Sequence, residues 1–244
     1  MSGGLLLASA ARPATVYGVH GAAGRTNWTC FARRPGLRGT WEAIEWASVP
    51  PGGVSGEHRH TRTEEIYFLI SGEAEFVLDG KPHRMTPGWL GLTRVGSRHA
   101  LHNIGTERVD WLVIEMFSPA TARVLGERVP LGEGESVDSG KASTVVNLGE
   151  LGEFDPRSVF DGPLASIRIQ RLAPGTSLGV VSDTCEHTLF VLSGSGTCVT
   201  DDQRVKVAEG SSVTLPLEGA MRIEAGDAGL ELFHATMDVP GAVA

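Results

Sequence analysis

Long apolar runs, helical periodicity and a cysteine framework are all missing from this sequence. No stretch approaches the length that spans a membrane as a helix, so no membrane partner is expected. The three cysteines, Cys30, Cys185 and Cys198, are odd in number and far apart, which fits neither a disulfide scaffold nor a zinc ribbon. A reducing, cytoplasmic compartment is the expectation. The opening MSGGLLLASAARP has a short apolar run with no basic residue ahead of it, and reads poorly as a secretory signal. Basic residues number 21 against 29 acidic, and three of them, Lys81, Lys141 and Lys206, are lysine. The net charge of -8 repels a phosphate backbone and argues against a nucleic-acid partner.

What is abundant is turn chemistry. Thirty-two glycines and thirteen prolines separate short runs of Val, Ile, Leu, Thr and aromatics, the spacing of an all-β barrel or sandwich. The clearest strands are TWEAIEWASV, EIYFLISGEAEFVLDG, VDWLVIEMF, LASIRIQRLA, TLFVLSGSGTCVT and GLELFHATM, and LDGK reads as a hairpin turn. A chain of 244 residues buries a core without covalent help.

The chain also repeats itself. EEIYFLISGEAEFVLDGKPHRMTPG aligns without a gap over EHTLFVLSGSGTCVTDDQRVKVAEG, pairing Gly72 with Gly194, Gly88 with Gly210 and Arg94 with Pro216, each pair 122 residues apart. Two copies of one barrel are expected: residues 1–118 as an arm plus the first barrel, 119–160 as a linker and crossover rich in Gly, Ser and charge, and 161–244 as the second barrel.

The densest chemistry lies in EHRHTRTEEIYFLISG, residues 57 to 72. Strand alternation points His58 and His60 the same way. Glu65 reaches that face only if HTRTE breaks the strand, and from Glu65 the alternation runs through Tyr67 and Leu69. A buried carboxylate is costly unless a cation compensates, and a metal would do so. In GWLGLTRVGSRHALHN, His99 and His102 cannot share a strand face. His99 continues through Leu101 and Asn103, which leaves His102 outward, at the rim or as a partner orienting a ligand, with catalysis as a minor alternative. In WLVIE, Trp111, Val113 and Glu115 share a face. If that face is the inner one, Glu115 is placed to act as a base; the other reading is the solvent face of an edge strand.

These residues resemble the motifs of the cupin superfamily in its two-barrel form. The pattern G-x5-H-x-H-x4-E-x6-G is met at Gly52, His58, His60, Glu65 and Gly72. The pattern G-x5-P-x-G-x2-H-x3-N is met at Gly88, Gly96, His99 and Asn103, with Arg94 where proline is usual. The resemblance implies two tandem jelly-roll-like β-barrels and one divalent transition metal (Fe, Mn, Ni, Cu or Zn) held by His58, His60, Glu65 and His99. Four such ligands leave one or two open positions on a five- or six-coordinate ion. The second copy departs from the pattern, with Val181, Ser182 or Asp183 at the histidine pair, His187 at the glutamate and Met221 at the third histidine. A metal-free second barrel is expected, with His187 and His234 as ordinary polar residues.

The resemblance spans oxygenases, decarboxylases, isomerases, cyclases and non-enzymatic binders, and fold does not choose among them. The complete ligand set argues for an enzyme with Glu115, Tyr67 and His102 as candidate catalytic residues. The apolar strands around the site favour oxygen-dependent oxidation of an aromatic, enolic or polyketide-like molecule. Non-oxidative isomerase, cyclase or lyase chemistry in secondary metabolism and non-catalytic ligand binding are the alternatives. The partners expected are a small-molecule substrate and a second copy in a homodimer.

Overall fold

In this computed structural model, which describes residues 4–22, 24–126 and 140–242, nineteen strands and two short helices are found. The strands are β1 (Leu6–Ser9), β2 (Ala14–Tyr17), β3 (Arg25–Arg33), β4 (Trp41–Val49), β5 (Val54–Arg59), β6 (Thr63–Ser71), β7 (Ala74–Leu78), β8 (Lys81–Met85), β9 (Trp89–Thr93), β10 (Arg98–Asn103), β11 (Val109–Phe117), β12 (Thr144–Asn147), β13 (Glu153–Phe154), β14 (Leu164–Leu172), β15 (Ser177–Val181), β16 (Cys185–Val199), β17 (Arg204–Ala208), β18 (Ser211–Leu215) and β19 (Ala220–Asp238). Helices α1 (Pro119–Val124) and α2 (Leu148–Leu151) lie between the two strand groups.

The repeat is visible in the backbone. Gly72 and Gly194 have φ 80° and 82°, and Gly88 and Gly210 have 92° and 81°, so both aligned pairs occupy the left-handed region. LDGK closes β7 to β8 with Asp79 and Gly80 at φ 48° and 77°, the two positive angles a tight two-residue hairpin requires. The first barrel is a seven-stranded sheet, β12-β9-β6-β11-β4-β3-β2, facing a four-stranded one, β5-β10-β7-β8. In the second, β16 and β19 run 15 and 19 residues through register shifts, so its eight strands form one continuous folded sheet.

Alternation along these strands builds three cores. On β6, Tyr67 and Leu69 point into the first barrel with Phe76, Leu101 and Trp111, while Ile66 and Phe68 point out of it. Leu189 and Val191 of β16 fill the second barrel with Val213, Ile223 and Leu232. The outward faces then meet: Ile66, Phe68, Leu112 and Ile114 pack with Phe190 and Phe233, the Phe68 and Phe233 rings 4.8 Å apart. The barrels therefore share a buried apolar interface.

Two buried glutamates fasten that interface reciprocally. Glu64 accepts hydrogen bonds from the backbone N–H groups of Asp161 (2.9 Å) and Gly162 (3.0 Å), on the stretch leading into β14. Its repeat-mate Glu186 accepts from the N–H of Arg38 (2.8 Å) and Gly39 (2.9 Å), from Trp41 Nε1 (2.9 Å) and from the Leu217 N–H (3.2 Å). A Cβ on Gly39 or Gly162 would stand 3.0 or 2.9 Å from the gripping carboxylate, so both positions admit little more than hydrogen. Arg94, the departure from the proline of the motif, belongs to the same interface. Its guanidinium binds Asp161 Oδ2 at 2.6 Å and the Val159 carbonyl.

The arm and the linker do not follow the divisions drawn from sequence. β1 pairs with β18 of the second barrel, Leu6 opposite Thr214, while β2 pairs with β3 of the first. Within 119–160, β12 adds to β9 of the first barrel and β13 to β14 of the second. Residues 127–139 of that expected linker lie outside the described residues. The strands are four residues or shorter, too brief for alternation to reveal them.

Candidate metal centre

Three strands and the loop after β5 bring the motif residues together. β5 pairs with β10 so that His58 lies opposite His99. His60 follows the end of β5 and is tied to the next loop, its N–H donating to the Ser97 carbonyl while its own carbonyl accepts from Gly96. Glu65 enters on β6 opposite Thr93 and Glu115. One ligand atom from each of His58, His60, Glu65 and His99 lies within 4.8 Å of all the others. His60, Glu65 and His99 are at most 4% exposed.

The rings are aimed from behind. The Nδ1 atoms of His58, His60 and His99 contact the Gly56 carbonyl at 3.0 Å, Thr63 Oγ1 at 3.2 Å and Thr93 Oγ1 at 2.6 Å. That leaves each Nε2 facing inward, the arrangement in which a hydrogen-bonded Nδ1 fixes the ring for coordination. His60 Nε2 and His99 Nε2 approach Glu65 Oε2 at 3.2 and 3.0 Å, yet none of these three buried atoms makes a well-directed hydrogen bond. Buried polar atoms converging without partners fit a shared cation. Three imidazole nitrogens and one carboxylate oxygen suit a divalent transition metal.

The electrostatics agree with that fit. Burial drives the His58 pKa down to about 4, helped by His99, so the ring is neutral and ready to ligate. Burial pushes the Glu65 carboxyl up, but His99 and His60 outweigh it and hold it below the carboxylate range. Burial pulls His60 down, and its contact with Glu65 more than reverses this. Glu115 rises to about 8, by burial and then by the neighbouring Glu65 charge. Burial likewise raises Tyr67 well above the ordinary phenol range.

Beside the cluster lies a cavity of about 340 Å³ whose lining includes Glu65, Tyr67, Trp111 and Glu115. Of the two faces the sequence left open for Glu115, the structure has it on the inner one, and Tyr67 stands with its ring 4.6 Å from that of His99. His102 is not brought to the site: its side chain is 40% exposed on the opposite face of β10 and its Nδ1 lies 3.6 Å from Glu75 Oε1. Of the arginines near the motifs, Arg59 binds the Gly96 carbonyl, Arg62 pairs with Glu42 and Arg98 with Glu57, so each has a protein partner.

Two further residues belong to the site. His20 stacks on His58, ring centroids 3.5 Å apart and planes within 8°, and lines the cavity. It sits at φ 52° in a turn flanked by left-handed Gly18 and Gly21, docked where Gly56 leaves room: a Cβ there would stand 2.3 Å from the His20 carbonyl oxygen. Glu45 lies on the inward face of β4, accepting from Trp28 Nε1 at 2.9 Å, with its pKa raised by burial. Alternation in WEAIEWASV, which sets Glu45 with Ala47 and Val49, was the available signal for Glu45. Only the glycines of YGVHGAAG hinted at His20.

At the matching place in the second barrel, His187 Nδ1 contacts His234 Nε2 at 3.0 Å and Thr236 Oγ1 at 3.2 Å. His187 Nε2 faces Cys185 Sγ at 3.3 Å, and His234 Nδ1 meets Gln170 Oε1 at 3.2 Å. These groups satisfy one another. Among the described residues the first-barrel cluster is the one group arranged to hold a metal ion.

The fold is that of two tandem cupin-like β-barrels, with the four-residue cluster in the first. Residues 45–115 match the Cupin domain family, Cupin_2. The chain is 23% identical to an oxalate-binding protein of Thermotoga maritima over 113 residues, 46% of this chain and 93% of that protein. Its fold is similar to that of protein Ylba from E. coli, with a TM-score of 0.73 and 16% identity, covering 100% of this chain and 94% of the other. It is also similar to salicylate 1,2-dioxygenase from Pseudoaminobacter salicylatoxidans, solved as adducts with gentisate, with a TM-score of 0.64 and 18% identity over 87% of this chain and 73% of the other.

Proposed function

We propose that the protein is a mononuclear metal-dependent enzyme that oxidises a small aromatic, enolic or polyketide-like molecule with oxygen. The observation that carries this reading is the convergence of His58, His60, Glu65 and His99 beside a largely apolar cavity. A bound transition metal supplies redox chemistry with oxygen, or Lewis-acid polarisation of a substrate oxygen. The chain's own residues do the rest. His58, His60, Glu65 and His99 hold the ion, Tyr67 and Trp111 shape the cavity wall, and Glu115, with a pKa of about 8, holds a proton near neutral pH that it can give or take. The fold likeness to a dioxygenase supports the oxidative reading without deciding it.

The second reading is non-oxidative proton transfer, as in an isomerase or cyclase, and Glu115 beside the candidate ligands is the observation that favours it. The test begins with metal content of chelator-free protein by elemental mass spectrometry. About one equivalent of iron, manganese, nickel or copper, followed by oxygen uptake on turnover of an aromatic or enolic compound, supports the oxygenase. Turnover without oxygen uptake moves the assignment to the second reading. No metal even after reconstitution overturns both.

A further inference from the structure

The cavity's polar lining is specific enough to say what kind of molecule it accepts. Resting on the metal-enzyme reading, we propose that it takes a neutral, ring-bearing molecule that offers an acceptor oxygen to the indole N–H of Trp111 and carries no free carboxylate.

Trp111 is 2% exposed, lines the cavity, and its Nε1 is buried with no hydrogen-bond partner. Two other indoles are given acceptors: Trp28 Nε1 donates to Glu45 and Trp41 Nε1 to Glu186. A buried donor left unmade is strongly disfavoured, and a ligand acceptor would relieve it.

The charged lining points the same way. Glu45, Glu65 and Glu115 line the cavity, and its described lining includes no lysine or arginine. Arg33 approaches Glu45 Oε1 at 3.4 Å, but its side chain is 55% exposed and it does not line the cavity. A ligand carboxylate held away from the metal would lose its hydration and find no lysine or arginine to pair with. The walls, Val16, Val19, Trp28, Tyr67, Trp111 and Val113, suit the faces and edges of a flat ring. A cavity of about 340 Å³ is at the small end for such ligands. This chemistry separates the chain from the salicylate 1,2-dioxygenase, whose bound gentisate is a carboxylated ring.

The test uses the zinc-loaded full chain, which is redox-silent, with zinc content measured on the same samples. Catechol and 2,3-dihydroxybenzoate present the same ring diol without and with a carboxylate, and calorimetric titration compares them. Catechol is expected to bind about tenfold tighter or more, and Trp111→Phe, which keeps a ring and removes the N–H, is expected to weaken catechol about fivefold. Should that variant fail to fold, the Trp111 indole N–H resonance of the wild type is followed instead, with a downfield shift expected on catechol addition. Equal or tighter binding of 2,3-dihydroxybenzoate overturns the exclusion of carboxylates. An unchanged catechol affinity in Trp111→Phe, or an unmoved indole resonance, overturns the role of Trp111. Failure of the metal reading registers separately, as less than one equivalent of zinc, because the indole and the three glutamates are present with or without it.

Discussion

At the scale of single residues, the four candidate ligands carry the largest expected effects. His60→Ala removes one nitrogen of the donor set and is expected to keep the fold while losing most bound metal, as measured by elemental mass spectrometry on folded protein; retention of a full equivalent would refute the ligand assignment. Gly56→Ala acts from outside the donor set. Its Cβ would stand 2.3 Å from the His20 carbonyl oxygen, so the His20 turn must lift, and the His20–His58 stack is expected to be lost. Faster proteolysis of the arm near residue 20, at nearly unchanged metal content, would register it; unaltered cleavage would contradict it. The ligands were legible because alternation sets His58 and His60 on one face and the two spaced motifs that resemble those of cupins add Glu65 and His99. His20 was not, because it meets His58 across 38 positions through a left-handed turn that no periodicity encodes. His102, named among the catalytic candidates, is a different case: alternation placed it outward, and outward it points, away from the cluster.

At the scale of elements, the reciprocal glutamates decide how the barrels hold together. Glu186→Ala leaves three backbone N–H groups and the Trp41 indole N–H without their acceptor, and is expected to destabilise the fold by about 3–5 kcal/mol in denaturant titrations. Its partner carries a pH signature. Burial pushes Glu64 up to about 7, against the pull of the two N–H groups it accepts from. A carboxyl whose folded pKa lies above its ordinary 4.5 contributes stability that is present below that value and lost as pH rises through about 7. The full window is worth about 3 kcal/mol at most. His234 works in the opposite sense. Burial, then His187, drives its pKa down to about 3, so its contribution is present above the ordinary 6.5 and lost as pH falls toward 3. Thermal midpoints between pH 4.5 and 8 should therefore fall less steeply in Glu64→Gln than in the wild type; parallel curves would show that Glu64 is not the titrating group. Sequence exposed the long strands of this scaffold through alternation and the tight hairpin through LDGK. It hid the short strands β1, β12 and β13, which exist because a neighbouring edge is free to receive them.

Across the whole molecule, the two barrels are one architecture with two different interiors. Met221→His restores one motif position in the second barrel, but the histidine pair is absent and His187 and His234 already satisfy each other. Metal content is expected to stay at its wild-type value, and a rise to two equivalents would show a more complete second site. Deleting residues 1–10 is expected to lower the thermal midpoint and promote association, because it uncovers the edge of β18, which β1 now pairs. An unchanged midpoint in a monodisperse sample would mean that edge needs no cover. The pairing of β1 also bears on how the chain is made. Leu6 leaves the ribosome about 200 residues ahead of its partner Thr214, a wait on the order of ten seconds or more at ordinary rates of synthesis. During that interval the arm has no strand to receive it, and a segment made early is among the last to find its place.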